Sequence, residues 1–166
     1  QFGHNDIGPI GDGKERGEIA SADDTCHVYK SASKGTYELV YSFGWYVKKM
    51  IDDCREKGAT PILVSLTPRN EWPNGKIERR NGSYGKWYRE IVAETGVDFL
   101  DLHNISADFL DKKFASKSEE KSKKAASKYF KKDHTHTSLI GARMNAQSIA
   151  KGLRAIHSKL ADGLKK

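Results

Sequence analysis

Between Ser42 and Gly58 apolar side chains return every three or four positions, at Phe43, Val47, Met50, Ile51 and Cys54, with Lys48, Lys49, Asp52, Asp53 and Arg55 on the opposite side. This spacing predicts an amphipathic helix that ends at Gly58. The pattern then changes to a continuous apolar run, Ala59 to Thr67, which predicts a strand covered on both faces and stopped by Pro68. Tyr84, Trp87, Tyr88 and Ile91 fall on one face of a second helix with Gly96 as its C-terminal cap, and Val97 to Leu102 reads as a short strand. Helix, strand, helix, strand is the order of a parallel α/β sheet. Leu139, Ile140, Met144, Ile149, Leu153, Ile156 and Leu160 mark a last helix expected to pack on a core through those residues. Two stretches have no period. Gln1-Phe2 reads as the end of a strand, and Gly3-His4-Asn5-Asp6 as the turn that leaves it. From there to Gly35, and again from Arg69 to Asn81, long surface loops are expected.

Composition adds limits. A chain of 166 residues with 37% hydrophobic content has enough material for one core, and no apolar run approaches the ~20 residues of a membrane-spanning helix. The formal charge of +7 would attract any polyanion, but much of the excess is local. Asp108 to Lys132 reads as mostly helical, with Lys113, Lys117, Lys121, Lys124 and Lys128 in one stripe, the pattern of a solvated face. No aromatic platform is interleaved with it for single-stranded nucleic acid. Cys26 and Cys54 fit neither a disulfide scaffold nor a zinc site of paired cysteines. Without an initiator Met or a signal-peptide pattern at Gln1-Phe2-Gly3-His4, the chain is expected to be processed or truncated.

The candidate chemistry centres on Asp133-His134-Thr135-His136-Thr137-Ser138. A carboxylate three positions before a histidine can accept the proton of one imidazole nitrogen and leave the other free as a general base. The same aspartate near a helix start also serves as an N-cap or dipole partner. The Asn5 amide can donate to a developing oxyanion, or simply satisfy turn backbone. His4, His134, His136 and Asp6 also form an alternative set of metal ligands, although His-x-His in a loop is a weak signature.

Three landmarks, taken in order, resemble rhamnogalacturonan acetylesterases of the SGNH, or GDSL-type, hydrolases: Gln1 to Asp6, Gly58 to Val64, and Asp133 to Ser138 followed by Gly141-Ala142. Together they span nearly the whole chain. The resemblance implies an α/β fold, part of a three-layer α/β/α sandwich with a parallel flavodoxin-like sheet, and residues 1–166 as a single incomplete domain from the end of the third strand to the C-terminal helix. It also implies roles. Gly3 and Asn5 match the Gly-x-Asn-Asp block, whose Asn is an oxyanion donor, with His4 and Asp6 in support. Asp133 and His136 match the Asp-x-x-His block, the acid and base of a Ser-His-Asp triad. The Gly-Asp-Ser block that supplies the nucleophile has no counterpart: Gly11-Asp12-Gly13 lacks the serine, Ser65 falls inside the strand run, and Ser138 is too near His136 in sequence.

The implied reaction is removal of acetyl groups from a pectic polysaccharide. It needs no metal or organic cofactor, takes the serine from an upstream segment, and would be secreted or periplasmic. Arg69 and Trp72 are expected to meet a uronate carboxylate and a sugar face, or else to be a surface charge and a loop anchor. Two readings of other classes compete: a non-catalytic carbohydrate-binding or interaction module of the same fold, and a basic nucleic-acid-binding protein using the lysine stripe.

Overall fold

The computed structural model describes residues 3–4, 19–31 and 34–164. The strand end at Gln1-Phe2, most of the first loop, and Asn5 and Asp6 lie outside the described residues. The chain divides into two compact units, Gln1–Leu63 with Asn81–Phe99, and Val64–Arg80 with Leu100–Lys166.

In the first unit, part of what reads as loop is an antiparallel hairpin of β1, Cys26–Lys30, and β2, Tyr37–Tyr41, with Val28 opposite Leu39 and Lys30 opposite Tyr37. Its turn closes through Ser31 N–H to the Thr36 carbonyl and Gly35 N–H to the Ser31 carbonyl, with Gly35 at φ +67°. Helix α1, Phe43–Glu56, starts where the Ser42 hydroxyl accepts the Trp45 N–H at 3.0 Å. It buries Phe43, Gly44, Val47 and Ile51 and leaves Met50 and Cys54 exposed. Helix α2, Tyr84–Thr95, meets it with Tyr84, Tyr88 and Ile91, and Gly96 ends it in the left-handed conformation, as the sequence predicts. Phe43 lies edge-on to Tyr84 and Tyr88 at 5.0 and 5.4 Å. Each such buried ring or aliphatic side chain contributes about 1.5–3 kcal/mol by leaving water.

Strand β3 is Ile62–Val64 and β4 is Asp98–Leu100, shorter than the apolar runs predict. They form a small parallel pair, and the chain passes from one unit to the other within both. The β3 residues are half-buried rather than covered on both faces. Leu102, expected at the end of β4, opens the next helix because Asp101 caps it, its carboxylate accepting the Asn104 N–H. The chain is thus mixed α/β, consistent with part of an SGNH-type fold.

The second unit is built around Trp72, Ile77, Ala107, Leu110, Ala126, Tyr129, Phe130 and Met144. Helix α3, Leu102–Phe114, and α4, Glu119–Ala126, are separated at Ala115 to Ser118, where the Ser118 hydroxyl caps the second helix. The lysines expected in one helical stripe are therefore spread over α3, a break, α4 and a short turn; all five are exposed. Helix α5, Leu139–Ala155, buries Gly141, Met144, Asn145, Ser148 and Gly152. A Cβ on Gly152 would lie 2.5 Å from the Leu100 side chain, and the Ser106 hydroxyl donates to Asn145 Oδ1 at 3.1 Å. Close approach thus turns the small side chains of α5 inward; of the packing face predicted for this helix, Met144 is buried and Leu153 and Ile156 are half-buried, while Leu139, Ile140, Ile149 and Leu160 are exposed.

Candidate active site

The segment before α5 is clasped at its base. Phe130 and Thr137 form an antiparallel bridge, Lys131 N–H donates to the His136 carbonyl at 2.7 Å, and Ser138 N–H donates to the Tyr129 carbonyl. The Ser138 hydroxyl donates to the Lys128 carbonyl at 2.6 Å and accepts the Gly141 N–H at 3.2 Å, so Ser138, not Asp133, caps the helix.

Asp133 is left to organise the loop. Its Oδ1 accepts the N–H groups of Thr135 and His136 at 2.8 and 2.7 Å, an Asx turn that folds the loop back on itself. Its Oδ2 lies 3.0 Å from His136 Nδ1. An ionised carboxylate only accepts, so the imidazole proton belongs on Nδ1 and Nε2 is left to take another. The backbone N–H groups of His136 and Thr135, then the His136 ring, hold the Asp133 carboxyl far below the usual carboxylate range. The His136 side chain is 72% exposed, so an incoming group can reach it.

His134 diverges from this pair. Its Nε2 lies 3.3 Å from Glu71 Oε1, and its carbonyl accepts the Asn70 N–H at 2.7 Å. Among the described residues no group of three His, Cys, Asp or Glu side chains is placed to hold a metal ion.

The segment 69–81, expected as a surface loop bearing substrate contacts, is fastened at many points. Trp72 is 3% exposed and its indole N–H donates to Asn70 Oδ1 at 2.6 Å; Asn70 Nδ2 in turn reaches the Lys123 carbonyl. This corrects the expectation for Trp72: a ring packed in the core cannot stack on a sugar, and the residue anchors the loop instead. Ile77 N–H donates to Asp111 Oδ1, and the Arg79 guanidinium spans Asn104, Asp108 and Asp111. Arg69 is half-buried and its carbonyl accepts the Glu71 N–H.

A second Ser-Asp-His trio is not legible from the sequence, because only the fold brings its members together. Ser65, buried just beyond β3, donates from its hydroxyl to Asp101 Oδ1 at 2.9 Å and accepts the His103 backbone N–H. The His103 ring points elsewhere, donating from Nε2 to the Glu78 carbonyl at 2.9 Å, and burial pushes its pKa down. With no imidazole on its hydroxyl and its own proton committed to a carboxylate, Ser65 is a structural link rather than a nucleophile.

Gly3 is buried at φ +125°, where a side chain would be strained, and Asn5 lies outside the described residues.

No family model matches the chain. It is similar to the rhamnogalacturonan acetylesterase of Emericella nidulans, 27% identical over 155 residues, which cover 92% of this chain and 58% of that protein. It is also similar to the probable rhamnogalacturonan acetylesterase YesY of Bacillus subtilis, 31% identical over 124 residues, covering 72% of this chain and 54% of that protein. The chain spans somewhat more than half the length of these curated relatives. Over most of its own length it is similar to these rhamnogalacturonan acetylesterases, which supports an SGNH hydrolase-like piece.

Proposed function

We propose that the chain supplies the acid and base of a serine-type carbohydrate acetylesterase acting on acetylated pectic polysaccharide. The observation that carries this reading is the 3.0 Å contact of Asp133 Oδ2 with His136 Nδ1, on an imidazole that remains open to an incoming group. The nucleophilic serine comes from a segment outside these 166 residues.

As the serine Oγ attacks the acetyl carbonyl carbon, His136 Nε2 takes its proton, and Asp133 holds the imidazolium that forms. The Asn5 amide, with Gly3 beside it, donates to the oxyanion; removing one such donor costs about 10²–10³ in turnover. Collapse of the tetrahedral intermediate breaks the ester C–O bond and leaves an acetyl-serine, while the departing sugar oxygen receives the proton from His136 and becomes a hydroxyl. Water, deprotonated by the same nitrogen, then attacks the acetyl-serine, acetate leaves, and the serine Oγ takes the proton back from His136. No step requires a metal or an organic cofactor. In this reading Arg69, half-buried in the 69–81 segment, meets a uronate carboxylate, and a polymer substrate of this kind would be met outside the cell or in the periplasm.

Acetate release from acetylated rhamnogalacturonan fragments tests the reading. The chain joined to the serine-bearing segment should release acetate, a serine-directed inhibitor should stop it, and residues 1–166 alone should not turn over even an aryl acetate. Inhibitor-sensitive turnover by the 166 residues alone would contradict it.

A further inference from the structure

We infer that Glu71 is a positioning residue for the Asp133–His136 pair, holding the tip of its loop through His134. The inference rests on the reading of that pair as acid and base.

The base of the 131–138 loop is closed by its own backbone, but the Asx turn at its tip fixes Asp133 only relative to Thr135 and His136. Where that turn sits on the molecule is set at His134, between Asp133 and the imidazole. The Asn70 N–H donates to the His134 carbonyl at 2.7 Å, and Glu71 Oε1 lies 3.3 Å from His134 Nε2. Glu71 is itself oriented, because its other oxygen accepts from Arg80 Nη2 at 2.9 Å and its carbonyl accepts the Glu78 N–H. The tether therefore runs from a segment fastened to the core, through an aligned carboxylate, to the residue that precedes Thr135 and His136. A half-exposed contact of this kind is worth about 0.2–1 kcal/mol, too little to decide folding. It is enough to change an equilibrium of loop conformations about 1.4- to fivefold.

The tautomer of His136, read by long-range ¹H–¹⁵N NMR on the 166-residue chain, measures that equilibrium. A free imidazole favours the proton on Nε2, whereas the Asp133 contact favours Nδ1. In the wild type the Nδ1–H form should predominate. Glu71→Ala should move the tautomer ratio about 1.4- to fivefold toward Nε2–H with a shift of the thermal midpoint of no more than about 4 °C, and Glu71→Gln, which keeps an oxygen for His134, should restore the ratio. His134→Ala cuts the same tether from the other side, so it should produce the same shift, and it decides the matter if Glu71→Ala does not fold. A wild-type ratio in both Glu71→Ala and His134→Ala overturns the inference and leaves the acid–base reading standing. A wild type in which Nε2–H predominates overturns the acid–base reading itself, and this inference with it.

Discussion

Two segments of the second unit, 69–80 and 131–138, look alike in sequence, both polar, irregular and rich in residues suited to binding, yet they differ in what holds them. The first is fastened through Trp72 in the core, Ile77 on Asp111 and Arg79 across three side chains of α3. The second is exposed, closes on its own backbone and is shaped by a single carboxylate. Cutting the first should therefore cost stability, and cutting the second should cost chemistry. The fastened segment gives the exposed one something to lean on, through Asn70 and Glu71 at His134, and its tryptophan is buried.

The largest expected effect is on the fastened side. Trp72→Ala removes a buried ring and its bond to Asn70, and should destabilise the chain by about 3–5 kcal/mol in denaturant unfolding. A loss below 1 kcal/mol would put Trp72 back among surface residues. Next is Gly75→Ala. Gly75 has φ +76°, and an added Cβ would lie 1.6 Å from the Ser116 carbonyl oxygen, so a shift of backbone is required. A cost of about 1–3 kcal/mol is expected in the same assay.

Mild acid separates the two segments without mutation. Burial holds His103 neutral in the folded chain, so its contribution is complete above the ordinary value of about 6.5 and is lost as pH falls below it toward the lowered folded value. The Asp133 carboxyl is shifted the same way from a lower start. Its contribution is complete above about pH 4 and goes only as pH falls through the depressed value. Between pH 6.5 and 4.5 amide exchange should quicken at Ile77 to Arg80 while Thr135 and His136 keep their protection relative to it; the reverse order would break the comparison. The smallest effect is on the exposed side, where Asp133→Ala should change global stability by no more than about 1 kcal/mol.

What the sequence made legible follows the same division. Helices α1 and α2 could be read because large apolar side chains fill their inner faces, and Gly96 because a left-handed cap needs glycine. The α5 packing face was legible only at Met144, because the other inner positions include the small residues Gly141, Ser148 and Gly152, so the periodicity of large residues pointed in part outward. The hairpin was missed because Val28, Tyr37 and Leu39 are exposed, and no buried alternation marks its strands. Asp133 and His136 were legible because their contact is local. Glu71 was not, since only the fold brings it to His134, far along the chain. The expectation for Asn5 concerns a residue outside those described.

The acid–base reading is tested most directly by turnover of an aryl acetate in the protein that joins this chain to its serine-bearing segment, with His136→Ala and His134→Ala measured side by side. His136→Ala should lower turnover by about 10⁴-fold or more, His134→Ala should stay within about tenfold of wild type, and a chelator should change neither. Comparable losses in both variants, restored by a divalent ion, would contradict the account and assign the two histidines to a metal.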